Sequence, residues 1–504
     1  MTTVLNQTEL IWHDHRYFPY ERELARWEAA TLLAPLAVRE SLRGLIIDGS
    51  ADPRQLERLV YVRSYAGELT GGDTIQRRLE ASCSVTGHQR KQSTRYAVHG
   101  LHEYHGKFNP QVVRGILNAL GIKAGQQVLD PFCGSGTSLV ECAIGGITGQ
   151  GTDINPLAVY VSNAKLTALQ TPAADLAAAF ATIIHSLTQS PPPLPAVVDE
   201  RLLYLQDWFA PDILLVLEAV RAQAQQLPAS LAHVVLALLS DVLRAYSGQE
   251  PADLRIRRRR TPLPTVPLVD AMREKLAYFL ANVQAAQAVI GVPQTAGAAH
   301  LHDNRQASPL PVAGFDAAIT SPPYATALPY IDTQRLSLVW VGLCTPSQLR
   351  RLEADLTGSR EFIGRPRREW NERLHTNADA LPPDSITLCR QLAAAVSETD
   401  GFRRQAMPAL VYRYLVNMRD MFRQVSQALR PGAPFALVVG HNRTTLGGQV
   451  FALDTPAMLR HLAEQDGWQH EQSMPLQTYQ RYSVHRQNAV QSETLLIVRK
   501  PNGI

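Results

Sequence analysis

Thr320-Ser321-Pro322-Pro323-Tyr324 closes the apolar run 315–319 and carries residue types suited to chemistry on an amino group. Two consecutive prolines fix φ, remove two backbone donors and stiffen the turn, leaving the carbonyls beside them as acceptors. The nitrogen lone pair of a nucleobase amine is conjugated into its ring. Hydrogen bonds from that NH2 to the Ser321 hydroxyl and a proline-flanked carbonyl would draw the nitrogen toward tetrahedral geometry and free the pair for attack. Tyr324 would stack on a base flipped out of a duplex.

A second group of residues has the character of a cofactor site. Val128-Leu129-Asp130-Pro131-Phe132-Cys133-Gly134-Ser135-Gly136-Thr137 puts a carboxylate at a strand end and two glycines in the turn that opens a helix. Glycine there lets a ligand approach the backbone closely. Asp153 ends the next strand, where a carboxylate can take both hydroxyls of a ribose. Asp303 ends a later one and is placed to accept from an adenine amino group. Upstream, Lys107 could neutralise a ligand carboxylate, with Phe108 beside it and an amphipathic helix following. The glycines do not form a dinucleotide GxGxxG, and no lysine follows the second one as in a P-loop. A carboxylate immediately before the turn repels a pyrophosphate but suits an ammonium group. The pattern therefore points to S-adenosylmethionine rather than NAD or ATP.

These residues need a scaffold that presents strand ends side by side. From Gln126 the chain alternates short apolar runs, Gly-rich turns and helices, which is the opening of a parallel α/β sheet. We divide the chain into a helical N-terminal region (1–95, with amphipathic stretches at 21–42 and 53–64), a first α/β part with the cofactor motifs (96–170), and an Ala/Leu-rich helical insertion (171–298). The α/β pattern resumes at 299–344 with the catalytic motif, is interrupted by an Arg-rich insertion (345–405), and ends at 406–504.

Composition sets outer bounds. The 504 residues carry 45% hydrophobic and 19% charged residues, which excludes disorder as the main state. A net charge of +4 is too mild to name an anionic partner, although 43 of the 49 basic residues are arginine. Five cysteines (83, 133, 142, 344, 389) without a CxxC pair argue against a disulfide framework or a cysteine zinc site. The pairs His13/His15 and His102/His105 lie far apart in sequence, and the chemistry above needs no metal, so no metal site is expected. With no signal-peptide pattern and no apolar stretch of membrane-spanning length, a soluble, cytoplasmic protein without membrane association is expected.

HEYHGKFNP, DPFCGSGTSLVEC, GTDINPLAV, HLHDNR, TSPPYATALPYID and ALRPGAPFALVVGHN together resemble the S-adenosylmethionine-dependent DNA amino-methyltransferases, which make N4-methylcytosine or N6-methyladenine, commonly within restriction-modification systems. The resemblance spans residues 99–168, 299–343 and about 408–500. It implies a seven-stranded, Rossmann-like class I methyltransferase sheet. It carries cofactor roles onto Lys107, Asp130, Phe132, Gly134, Gly136, Asp153 and Asp303, with Phe108 and Thr137 beside them, and base-binding and catalytic roles onto Ser321, Pro322, Pro323 and Tyr324. Serine in this motif is more often associated with N4-cytosine enzymes, and Asn or Asp with adenine enzymes, so cytosine N4 is the expected target and adenine N6 the alternative. No Pro-Cys nucleophile stands in a comparable loop, which argues against methylation of cytosine C5. An RNA base N-methyltransferase and an inactive DNA-binding scaffold are the remaining readings. The implied partners are double-stranded DNA and a cognate restriction nuclease or other defence-system protein.

Site-specific methylation needs a DNA-reading region, and two arginine groups stand out. Arg255, Arg257, Arg258, Arg259 and Arg260 form the densest basic run, suited to phosphates, although a solvated helix end has the same composition. Arg365, Arg367 and Arg368 lie in the second insertion with aromatics interleaved, where surface salt bridges are the competing explanation.

Overall fold

The computed structural model describes residues 7–49, 51–67, 71–82, 93–194, 198–294, 297–325, 329–362, 366–477 and 492–502. The N-terminal region departs from the helical expectation. Five strands, β1 (Gln7–Trp12), β2 (Ala37–Glu40), β3 (Gly44–Asp48), β4 (Val62–Gly67) and β5 (Gly71–Asp73), form an antiparallel sheet in the order β2-β3-β1-β4-β5. The helical periodicity at 21–42 belongs to one helix, Pro19–Leu33, which stops at Ala34 in the left-handed region (φ 42°) before the chain turns into β2. The stretch at 53–64 gives a single helical turn, Pro53–Leu56, before β4 begins. Short strands with few side chains per face leave too little alternation to compete with an adjoining helical pattern. A Cβ on Gly44 would stand 1.6 Å from the Leu10 carbonyl oxygen, so only glycine lets β3 lie this close to β1.

The expected α/β core is present. Its seven strands are β6 (Gln127–Asp130), β7 (Thr148–Asp153), β8 (Ala298–Leu301), β9 (Ala317–Thr320), β10 (Pro434–Gly440), β13 (Gln469–Gln477) and β14 (Ser492–Arg499), with the hairpin β11 (Asn442–Leu446) and β12 (Gln449–Leu453) lying outside the sheet. Their order is β13-β14-β10-β9-β6-β7-β8. Strands β8, β7, β6, β9 and β10 are parallel to their neighbours, and β14 inserts antiparallel between β10 and β13. β6 and β9 are therefore adjacent, so Asp130 and the turn after Thr320 emerge at the same edge.

Period-two alternation divides the sheet between two apolar layers. Val128, Ile319, Val438 and Ile497 pack against the N-terminal region and the helix Pro110–Ala119. Leu129, Ala318, Leu437 and Leu496 pack under the long helix Met407–Ala428. Buried Glu28 ties the N-terminal region to that first layer by accepting from Val60 N, Tyr61 N and Asn118 Nδ2. Among the described residues of the first insertion five α-helices, from Ala173–Ser186 to Leu268–Ile290, share a core with the helices Thr137–Ile144 and Pro156–Gln170. The second insertion holds four short helices between Leu349 and Gln405.

Candidate active site

Asp130 ends β6 almost wholly buried, and its Oδ1 accepts from Phe132 N at 3.1 Å and from Thr320 Oγ1 at 2.6 Å. Burial pushes its carboxyl up to about 6, against the pull of those hydrogen bonds. Gly134 and Gly136 take φ of 49° and 75°, and a Cβ on Gly136 would meet the Ser162 side chain at 2.8 Å. Asp153 ends β7, with Oδ2 accepting from Gly134 N at 3.0 Å and Oδ1 from Asn155 N at 2.9 Å; burial raises it to about 6 as well. Each carboxylate oxygen has a second lone pair, so Asp153 can still receive hydroxyls. The hydroxyls of Ser135 and Thr137 are buried and have no partner among the described residues at the start of the helix that the glycines open. Two carboxylates at adjacent strand ends and unsatisfied hydroxyls in a glycine turn fit a cationic, ribose-bearing ligand.

The remaining cofactor candidates are occupied. Lys107 Nζ donates to the carbonyls of Thr94 at 2.8 Å and His99 at 3.2 Å. Asp303 is gripped by Arg305, whose Nε and Nη2 each donate at 2.7 Å; burial would raise this carboxyl, but that guanidinium and the Arg305 N–H hold it below the usual range. Phe132 packs against the layer under the long helix, and Phe108 against the N-terminal layer. In the second motif Ser321 and Pro323 are half-buried and Pro322 is buried. The Tyr324 hydroxyl donates to Glu493 on β14. The 2.6 Å bond from Thr320 to Asp130 joins the Pro-Pro turn directly to the Gly-rich turn.

Sequence reasoning missed several neighbours. Tyr104 and Tyr330 stack with centroids 6.4 Å apart, and Tyr104 lies against Gly134. The signal for Tyr104 is its place inside HEYHGKFNP, next to His105. Asn304 donates to the Pro131 carbonyl and accepts from Thr152 Oγ1 at 2.7 Å, clamping the cofactor turn from the β8 side. Lys165 is wholly buried and donates to Ser135 O at 2.8 Å, and burial drives its amine far below the usual range. An Ala/Leu-rich helix gives no sequence signal for a buried lysine of this kind.

The two arginine groups differ in how far structure already uses them. Residues 248–259 form a narrow hairpin in which Glu250 N donates to Arg257 O and Arg259 N to Gly248 O. Within it Arg257 pairs with Asp253, Arg258 lies 4.1 Å over the Trp208 ring, and Arg259 donates to Pro262 O and Ala245 O. The hairpin reaches the helix Tyr330–Val341, which follows the Pro-Pro turn, through Gln249 Nε2, which donates to Asp332 O at 2.8 Å. Arg255 donates its N–H to Asp253, and the exposed Arg260 donates its own to Glu250. Arg367 lies over Phe402, Arg368 pairs with Glu372, and Arg365 is outside the described residues. His13 and His102 are buried, bonding the carbonyls of Val60 and Glu103, and burial lowers both. Among the described residues no group of three His, Cys, Asp or Glu is placed to hold a metal, and no helix is long and apolar enough to cross a membrane.

The family described as RMKL-like, methyltransferase domain, matches residues 101–167, the stretch from His102 through both glycines and Asp153 to the end of the following helix. Residues 101–167 match a methyltransferase domain. The cofactor expected for it, S-adenosylmethionine, stands. Over 76 residues the chain is 43% identical to the type II methyltransferase M.MjaII of Methanocaldococcus jannaschii, covering 15% of this chain and 14% of that protein. Over 52 residues it is 42% identical to a tRNA (guanine(10)-N2)-dimethyltransferase of Methanothermobacter thermautotrophicus, 10% of this chain and 16% of that one. The type II methyltransferase M.BsoBI of Geobacillus stearothermophilus aligns far more broadly, 21% identical over 448 residues, 79% of this chain and 83% of its own.

Proposed function

We propose that this chain is an S-adenosylmethionine-dependent methyltransferase that modifies the exocyclic N4 amino group of cytosine at a specific site in double-stranded DNA, as the modification enzyme of a restriction-modification or related defence system. The observation that carries the reading is the Thr320–Asp130 hydrogen bond, which sets the Ser-Pro-Pro-Tyr turn beside the Gly-rich turn. The broad alignment with a type II methyltransferase favours DNA as the substrate.

When bound, the cofactor supplies a methyl group on a sulfonium, an electrophile that needs no metal. Asp153 would receive the ribose hydroxyls, Gly134 and Gly136 would let the ligand lie on the backbone, and Asp130 would hold the turn while placing negative charge near a cation. Ser321 Oγ and the carbonyl of Pro322 accept from the base amino group, drawing its lone pair out of conjugation. Tyr324 presents the stacking face that holds a flipped cytosine in place. Transfer would form the N–C bond as the S–C bond breaks, the electron pair staying on sulfur as a neutral thioether, and the nitrogen would then shed its extra proton to solvent. The hairpin 248–259 and the second insertion flank the catalytic helix and supply the DNA contacts.

Expression in a host free of DNA methylation, followed by single-molecule sequencing of its genome, tests the reading. N4-methylcytosine at one short motif is the expected result. N6-methyladenine would keep the mechanism and overturn the base, whereas an unmodified genome from folded, cofactor-binding protein would move the substrate to RNA, in line with the partial match to a tRNA methyltransferase.

A further inference from the structure

Three strands decide where Tyr324 stands. β9 delivers it through the Pro-Pro turn. β10 makes room for it at Gly440, where a Cβ would stand 2.8 Å from the ring Cζ and 2.9 Å from Cε1. β14 holds its far end, because the phenol O–H donates to Glu493 Oε1. Glu493 is the register partner of Gly440 across the β10–β14 ladder, so the glycine and the carboxylate are opposite members of one cross-strand pair that brackets the ring. The chain next to Tyr324 is fixed from the same side, with Asn442 Nδ2 donating to the Ala325 carbonyl and Thr494, beside Glu493, bonded to His441 at 3.1 Å.

A carboxylate with little access to water is costly to keep unless something requires it. Glu493 has no ion-pair partner among the described residues, and the Tyr324 hydroxyl is its one hydrogen-bond partner there. Burial raises its carboxyl and the phenol's hydrogen bond opposes the rise. The half-buried carboxylate thus stands on the strand opposite Gly440 with the phenol O–H donating to it, and the ring lies between the two.

We infer that Glu493 is a positioning residue of the methyl-transfer site: it anchors the phenol end of the Tyr324 ring, whose body lies against Gly440, and so sets where the face offered to the target base stands. This rests on the reading of Ser321–Tyr324 as the base-binding turn. It adds to that reading a residue from the last strand of the sheet and makes the phenol oxygen, beyond the aromatic face, a working part of the site.

The test compares wild type, Tyr324→Phe, Glu493→Gln, Glu493→Ala and the Tyr324→Phe/Glu493→Ala double variant for kcat, for KM toward DNA, for S-adenosylmethionine affinity and for thermal unfolding. A small loss of alignment at a reacting centre costs about ten- to a hundredfold in rate. Tyr324→Phe and Glu493→Ala should each lower kcat by about that factor with cofactor affinity unchanged, and the double variant should lose no more than either alone. Glu493→Gln keeps an oxygen that accepts from the phenol and should recover most of the rate. Wild-type kcat in either single variant, or losses that multiply in the double, overturns the inference. Should Glu493→Ala fail to fold, Tyr324→Phe and Glu493→Gln decide it alone: full activity in Tyr324→Phe, or no recovery in Glu493→Gln, overturns it. Wild-type protein inactive on every DNA and RNA offered would instead fail the functional reading. The Glu493–Tyr324 coupling is then read from the unfolding cycle, where strictly additive effects overturn it and coupled effects support it.

Discussion

Thr320→Val removes the hydroxyl that joins the two motifs while keeping the shape of a side chain that is wholly buried. Thr320 stabilises the ionised form of Asp130, whose carboxyl is already raised to about 6 by burial from an ordinary value of 3.8. Because the folded value lies above the unfolded one, ionising Asp130 costs the folded protein stability as pH rises between the two. The variant makes that cost larger. Near pH 5 the folded carboxyl is mainly protonated in both proteins, so the substitution loses a neutral hydrogen bond, about 1 kcal/mol. At pH 8 it also loses the extra strength of a charge-assisted bond, about 1.4 kcal/mol or a factor of ten, bringing the difference to about 2.5 kcal/mol. Urea unfolding of both proteins at pH 5 and pH 8, with calorimetric titration of S-adenosylmethionine at pH 8, measures this. A destabilisation equal at the two pH values, or below about 0.5 kcal/mol at pH 8, which is the range of an ordinary surface change, refutes the coupling of the two motifs through this bond.

Gly136→Ala forces a Cβ into a left-handed residue and to within 2.8 Å of Ser162, so a loss of at least about 1–2 kcal/mol is expected from backbone strain alone, together with weakened cofactor binding; thermal unfolding and titration read both. Glu141→Gln breaks a buried cluster in which Glu141 accepts from Tyr96, His99 and Arg114, leaving a buried guanidinium unpaired at a cost of about 3–5 kcal/mol. Burial would raise Glu141, but Arg114 first and then His99 hold it below its ordinary 4.5, so the stability it contributes is complete above that pH and is lost as pH falls through the lowered folded value. Wild type should therefore converge on the variant in acid, measured as the difference in unfolding free energy between pH 7 and pH 3.

The part of the site visible in the sequence is the part that is local. Asp130, Asp153 and the glycines sit where a short apolar strand runs into a turn, and parallel sheets present ligand sites at those strand ends. What sequence could not supply are the partners reached only through folding. Glu493 lies 169 residues from Tyr324, and Lys165 lies 30 from the carbonyl it supports. Asp303 is a middle case: its partner Arg305 stands two residues along in the same HLHDNR string, and attention to the strand end alone passed over it. The N-terminal sheet escaped for a different reason. Its strands are three to six residues long, and three of the four residues of β2 and all of β5 face water, so alternation never builds over a readable window.

The pairing of β6 with β9 also fixes an order of events during synthesis. Gln127 and Asp316, hydrogen-bonded at the foot of these strands, are 189 residues apart, with the whole first insertion emerging between them. Closing so long a loop costs only slightly more than closing a short one, since each doubling adds about 0.6 kcal/mol, but the loop cannot close before its second end exists. A ribosome moving at about 5–20 residues per second delivers the cofactor turn well before the Pro-Pro turn, and Glu493 later still. The nascent chain thus holds Asp130 and Asp153 at the ends of a β6–β7 pair that β9 and β8 have not yet joined while the insertion helices are made. β14, made after every other strand of this sheet, both covers the edge of β10 and brings Glu493 to Tyr324, so the Pro-Pro turn gains its far-end anchor only when the last strand of the sheet has joined.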